Sequence, residues 1–199
     1  MSGRVLLSIV GLVMLLAAFA YLSARRSIEA TEQLAEKAAL AQTGREIDVR
    51  CPGPIAERFD KPLLEGQVRF DGDGVPLPYT KLSPKACKGL RVLEQRITRL
   101  DWDCLPATFT PGFELASSDG TTCRNEEPKA ALGVAVLAHE LMHLRGVADE
   151  ARAECLARKR LPAVAAALGL DEREIAAVSA YQVNVLGPQL GPQYQGGSC

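Results

Sequence analysis

Residues 128–155 read PKAALGVAVLAHELMHLRGVADEARAEC. Pro128 suits the opening turn of a helix, where its missing N–H costs no bond. From Lys129 to about Arg145 the segment is apolar nearly throughout, with Leu132, Val134, Val136, Leu137, Ala138, Leu141, Met142 and Leu144. A helix that is apolar on every side is a buried one. Gly146 supplies the stop. A second helix is expected from about Asp149 to Arg160, with Pro162 allowing a further short helix to Leu168. Asp171 and Glu174 form a capping box for a helix to about Val185. The tail from Gly187 to Cys199 is rich in Gly, Pro and Gln and reads as irregular, but its terminal cysteine suggests that it is pinned.

Working back from this helix, Ser83-Pro84 pairs a good N-cap with a proline at the first helical position. A helix is expected from there to about Leu100. Gly66 to Thr80 (GQVRFDGDGVPLPYT) alternates Val68 and Phe70 with polar residues and then offers Asp-Gly-Asp-Gly, which predicts a β-hairpin. The quartet lacks the spaced oxygens and closing Glu of a calcium loop. Glu46 to Arg50 reads as a short strand, with Ile47 and Val49 on one face. Residues 51–61 and 101–125 read as loops, and the second of these could wall a cleft. The expected fold class is α+β, mostly α, with a small hairpin.

The chain has 199 residues and a net charge of -1, with 47% hydrophobic and 24% charged residues. This is globular composition for a single domain. A near-neutral balance argues against nucleic acid as a partner, since phosphate binding needs a basic face. Val5 to Ala24 carry no charge and form a run long enough to cross a bilayer of about 30 Å. A transmembrane anchor is the favoured reading, over a cleaved signal peptide or a buried core helix. Residues 1–26 are thus the anchor or signal segment, 27–46 (helix formers with a sparse apolar face) a helical stalk, and 47–199 the domain. Cys51, Cys87, Cys104, Cys123, Cys155 and Cys199 all follow the apolar run, and no CxxC pair occurs. Three disulfides in an oxidising, extracytoplasmic compartment are expected, over buried thiols.

His139-Glu140-Leu141-Met142-His143 contains both histidines of the chain. Positions i and i+4 share a helix face, so both imidazoles can hold one Zn²⁺. Glu140, one residue on, is placed to act as the general base toward a water that the metal polarises. Such polar groups on so apolar a helix need a role, because unpaired buried polar atoms cost several kcal/mol. A catalytic zinc takes three protein ligands, and no third histidine exists. Glu150 is the favoured third ligand, with Asp149 the alternative. Glu154, one turn after Glu150, would hydrogen-bond a ligand histidine. Cys155 is read as a disulfide partner.

The Asp149 version, HExxHxxGxxD, resembles the metzincin pattern with Asp for the third His, as in the snapalysin type. The Glu150 version, with Glu154 after it, resembles the gluzincin pattern of thermolysin, although gluzincins space the second His and the Glu much further apart. The run HELMHLRGVADEARAEC, with Gly66-Gln67-Val68, the Leu82 to Cys87 stretch and Pro192-Gln193-Tyr194 to Cys199, resembles a group of bacterial membrane-anchored, cysteine-containing HExxH proteins regarded as zinc peptidases without assigned substrates. The likeness covers residues 45–199 and is specific only over 139–155. It implies a zincin-like domain outside the membrane.

The expectation is a zinc-dependent metallopeptidase acting on a peptide or protein of the cell envelope, with residues 5–24 in the membrane. A zinc amidase of cell-wall peptides and a non-catalytic, disulfide-stapled envelope binding module are the alternatives. Tyr181, Tyr194 and Arg145 are the candidates for steadying an oxyanion.

Overall fold

A computed structural model describes residues 3–54, 66–95, 100–105, 126–195 and 199. The first helix, α1, runs unbroken over Gly3–Thr43. It is followed by the strands β1 (Asp48–Arg50), β2 (Gly66–Phe70) and β3 (Pro76–Leu82). The helices α2 (Pro84–Gln95), α3 (Glu126–Leu144), α4 (Glu150–Ala167) and α5 (Glu172–Tyr181) complete the main elements. The fold is mostly helical with a three-stranded sheet.

α3 is the central element. From Ala130 to Leu144 only Leu132 is not buried. α2 packs antiparallel across it at backbone distance. A Cβ at Gly89 would lie 1.9 Å from the Lys129 carbonyl oxygen, and one at Gly133 would lie 2.8 Å from the Ala86 oxygen. Glycine at both positions is what permits the approach. Ser83 caps α2 as expected, accepting from the Ala86 amide.

The sheet order is β1-β3-β2, with β1 parallel and β2 antiparallel to β3. The expected hairpin is present, and Asp71 builds its turn by accepting from the amides of Asp73 and Val75. The strand read at 46–50 is Asp48–Arg50, with Ile47 and Val49 buried. The amides of Val49 in β1 and of Cys51 just after it donate to α1, to Glu36 and Glu32. Carboxylates of a helix thus occupy one edge of the sheet.

The segment read as a stalk, residues 27–46, is helical to Thr43 but is no free linker. Ile28, Thr31, Glu32, Ala35, Ala38 and Ala39 are buried against the domain. Small residues let α1 lie close, so a face without large apolar side chains still buries. Arg145 donates to the Gln42 carbonyl at 2.7 Å, and Arg45 donates to the Leu144 carbonyl. These contacts tie the C-terminal ends of α1 and α3 together. The apolar first half of α1, from Ile9, is exposed, and the helix is long and apolar enough to cross a membrane.

Pro162 does not divide α4. Proline removes one helical hydrogen bond, but buried Leu161, Val164 and Ala165 hold the helix through it. The capping box of α5 is formed by Asp171 and Glu174, and the helix continues as a wider turn over Gln182–Leu186 and a short piece at Gly187–Gln189. The helix expected to reach Leu100 is seen to Gln95. The 51–61 loop beyond residue 54 and the cleft loop beyond residue 105 lie outside the described residues, as does Cys123. Disulfides join Cys51 to Cys87 and Cys155 to Cys199, and Cys104 is also disulfide-bonded.

Candidate metal centre

The site is made where the C-terminal half of α3 meets the first turns of α4. Gly146, at φ +90°, turns the chain back, with its amide on the His143 carbonyl and the Val147 amide on Met142. This is a Schellman closure, which needs the left-handed conformation that glycine supplies. It places Val147 and Glu150 beside the helix they have just left.

Three side-chain atoms then converge. His139 Nε2 lies 2.9 Å from His143 Nε2 and 3.0 Å from Glu150 Oε2, and His143 Nε2 lies 3.3 Å from the same oxygen. The other nitrogen of each ring is engaged. His139 Nδ1 faces Glu154 Oε2 at 3.3 Å, and His143 Nδ1 donates to the Val147 carbonyl at 2.6 Å. The Val147 carbonyl can only accept, which fixes the His143 ring proton on Nδ1 and leaves its Nε2 as a lone-pair donor, whereas both nitrogens of His139 face carboxylates, and a metal on its Nε2 would put the proton on Nδ1 toward Glu154. Two ring nitrogens and a carboxylate oxygen thus face one another within 3.3 Å. Such a set is satisfied by a shared cation, and the group His139, His143 and Glu150 can hold a metal ion.

Glu154 is the hub behind the site. It is buried, and its Oε1 accepts from Arg158 Nε at 2.9 Å and from Gln182 Nε2 at 2.8 Å. Burial alone would raise its pKa, but the hydrogen bonds from His139 and Arg158 outweigh this and hold it below the usual carboxylate range. For His139, burial disfavours the charged form, yet the Glu154 hydrogen bond and the charges of Glu140, Glu154 and Glu150 prevail. Its pKa is raised.

Asp149 is not among the converging atoms. Its carboxylate accepts from the Arg152 amide at 2.7 Å and caps α4. No family model, curated protein or solved structure matches the chain. What the site can do therefore rests on its own chemistry.

Glu140 is 2% exposed and lies against the start of β2. A Cβ at Gly66 would fall 2.6 Å from its Oε1 and 2.7 Å from its Cγ. Gly66 is thus part of the site, since any side chain there would push the carboxylate aside. Its place at the start of a strand gave no hint of this. Gln182 was also missed, because it sits in α5's extension, 28 residues beyond Glu154 in the chain.

Of the three candidates for steadying an oxyanion, Arg145 is committed to Gln42 at the end of α1. Tyr181 is buried in the core, where burial raises the pKa of its phenol. Tyr194 alone reaches the centre, its ring edge-on to His139 with centroids 5.6 Å apart.

Proposed function

We propose that the chain is a membrane-anchored zinc metallopeptidase of zincin-like architecture, with its domain outside the cytoplasm and a peptide or protein of the cell envelope as substrate. The convergence of His139, His143 and Glu150, with both rings oriented from behind, is the observation that carries this reading. A tetrahedral zinc bound at about 2.0–2.1 Å keeps its donors about 3.3 Å apart. The separations of 2.9, 3.0 and 3.3 Å are close to that. Two imidazoles and a carboxylate also suit zinc by ligand type. The apolar half of α1 and the disulfides support the location.

Zinc held by these residues supplies Lewis acidity, which makes water a nucleophile near neutral pH and polarises a carbonyl. The chain's own groups do the remaining work. Glu140 accepts the proton of the attacking water and returns it to the leaving amine. Glu154 and the Val147 carbonyl keep the rings in the tautomer that binds metal. Gly66 keeps room for the Glu140 carboxylate. Among the described residues β2 pairs only with β3, whereas α1 covers β1. A peptide adding to the outer edge of β2 would pass Gly66 and so reach Glu140.

The test is metal analysis of the full chain in detergent, followed by cleavage of a peptide library. About one zinc per chain is expected, none in His143→Ala, and zinc without cleavage in Glu140→Gln. Metal-free wild type, or cleavage that survives Glu140→Gln, sinks the proposal. Cleavage of cell-wall peptides alone would favour the amidase.

A further inference from the structure

The C-terminal tail returns to the same centre from the far side of the chain. Cys155 directly follows Glu154 on α4 and is bonded to Cys199. Lys159, one turn on, donates its Nζ to the Cys199 carbonyl at 2.8 Å. Between α5's extension and this attachment the tail makes a 3-10 turn at Pro192–Tyr194, which packs on α4. From that turn the Tyr194 ring meets the His139 ring edge-on, at 5.6 Å and 71°. Tyr194 and Gln195 also share a cavity with Ala151 and Glu154. Cys199 is therefore held on α4 by one covalent bond, and the turn at Pro192–Tyr194 rests its aromatic residue on a ring of the metal centre.

The disulfides differ in exposure. Cys87 and Cys104 are 0% and 3% exposed, whereas Cys199 lies at the surface and Cys155 is half-buried. Thiol–disulfide exchange needs access of a thiolate to sulfur. Of the two disulfides whose cysteines are both described, Cys51–Cys87 pairs a half-buried sulfur with a fully buried one, so Cys155–Cys199, with one exposed cysteine, is the more open to a dithiol in solution.

We propose that the tail is a strap, closed by Cys155–Cys199, which holds Tyr194 against His139 and retards exchange of the metal, and that a dithiol reductant opens it. This rests on the metal-centre reading above. In the opening step a reductant thiolate attacks Cys199 Sγ, the Sγ–Sγ bond breaks, and the electron pair and a proton go to Cys155. The second reductant thiol then displaces Cys199, which leaves with the pair and a proton as the reductant closes its own disulfide. Two electrons and two protons pass to the protein, and the dithiol is oxidised. The chain then keeps its metal poorly in a reducing compartment and well in an oxidising one, so that export and metal retention are coupled.

Wild type, the Cys155→Ser/Cys199→Ser double variant and Tyr194→Ala are compared as full chains in detergent. Zinc release to a chromogenic chelator should be at least about tenfold faster in both variants, at unchanged stoichiometry. Brief dithiothreitol treatment should reproduce this in wild type and leave the double variant unaffected. Amide hydrogen exchange over residues 187–195, measured in zinc-free protein, should also be faster in the double variant. Equal release rates in wild type and both variants overturn the strap, as does equal exchange. Wild type that binds no zinc removes the metal-centre reading alone, and exchange over 187–195 then decides whether the tail is held by its disulfide.

Discussion

α3 meets α2 and α4 in opposite ways. Toward α2 the contact depends on missing side chains, since Gly89 and Gly133 bring two backbones together. Toward α4 it depends on a complete set of polar side chains, where His139, His143, Glu150 and Glu154 each have a partner. The first contact tolerates no added atom and the second no lost one. Within the polar flank there is a further contrast. The side chains of His139 and His143 are 5% and 7% exposed, but that of Glu150 is 44% exposed. Two donors are built into the core and the third is brought to them.

The comparison can be broken from either flank. The largest effect is expected from Gly89→Ala, whose added carbon would overlap the Lys129 carbonyl. About 3 kcal/mol of stability should be lost, read as a fall of about 10 °C in the thermal midpoint. A midpoint within about 2 °C of wild type would show that the backbones are not truly in contact. Glu150→Ala should weaken zinc binding about a hundredfold by competition titration, since only the two core imidazoles remain. Glu154→Gln keeps the shape but loses the charge behind His139, and about tenfold in zinc affinity should go with it. Asp149→Ala separates the two acidic neighbours. It should leave zinc affinity within about threefold and cost about 1 kcal/mol as a lost helix cap. Were the zinc affinities of the Asp149 and Glu150 variants reversed, the assignment of the third donor would fall.

The smallest effect is one of pH. The raised pKa of His139 stabilises the metal-free fold below its unfolded value of about 6.5, and that contribution is lost as pH rises through the folded value. Metal needs the neutral ring, so it competes with that proton. The rise in thermal midpoint caused by zinc should therefore grow from pH 6 to pH 8. A rise that shrinks over that range would contradict the His139–Glu154 pairing.

What could be read in the sequence follows from how far each signal travels along the chain. His139, Glu140, His143, Glu150 and Glu154 lie within sixteen residues, and helical geometry plus one glycine turn place them. The same is true of the hairpin at 66–82 and the caps at Ser83 and Asp171. Contacts made by small residues were illegible. Ala35, Ala38 and Ala39 give no apolar face by ordinary counting, and helix propensity alone marks Gly89 and Gly133 only as unfavourable positions. Pro162 reads as a break because local rules weigh the lost hydrogen bond and not the burial on either side of it. Gly66 and Gln182 depend on contacts across the fold, which no short window contains.

The continuity of α1 has a mechanical consequence. In the membrane-anchored reading the helix that leaves the bilayer is the same rod whose far end is clamped beside α3. About eighteen residues separate Ala24 from Gln42, or about 27 Å at 1.5 Å per residue. The domain packs along that rod from Ile28 to Ala39, so in this reading the anchor is itself one wall of the domain and a tilt of the helix in the bilayer would tilt the metal centre with it.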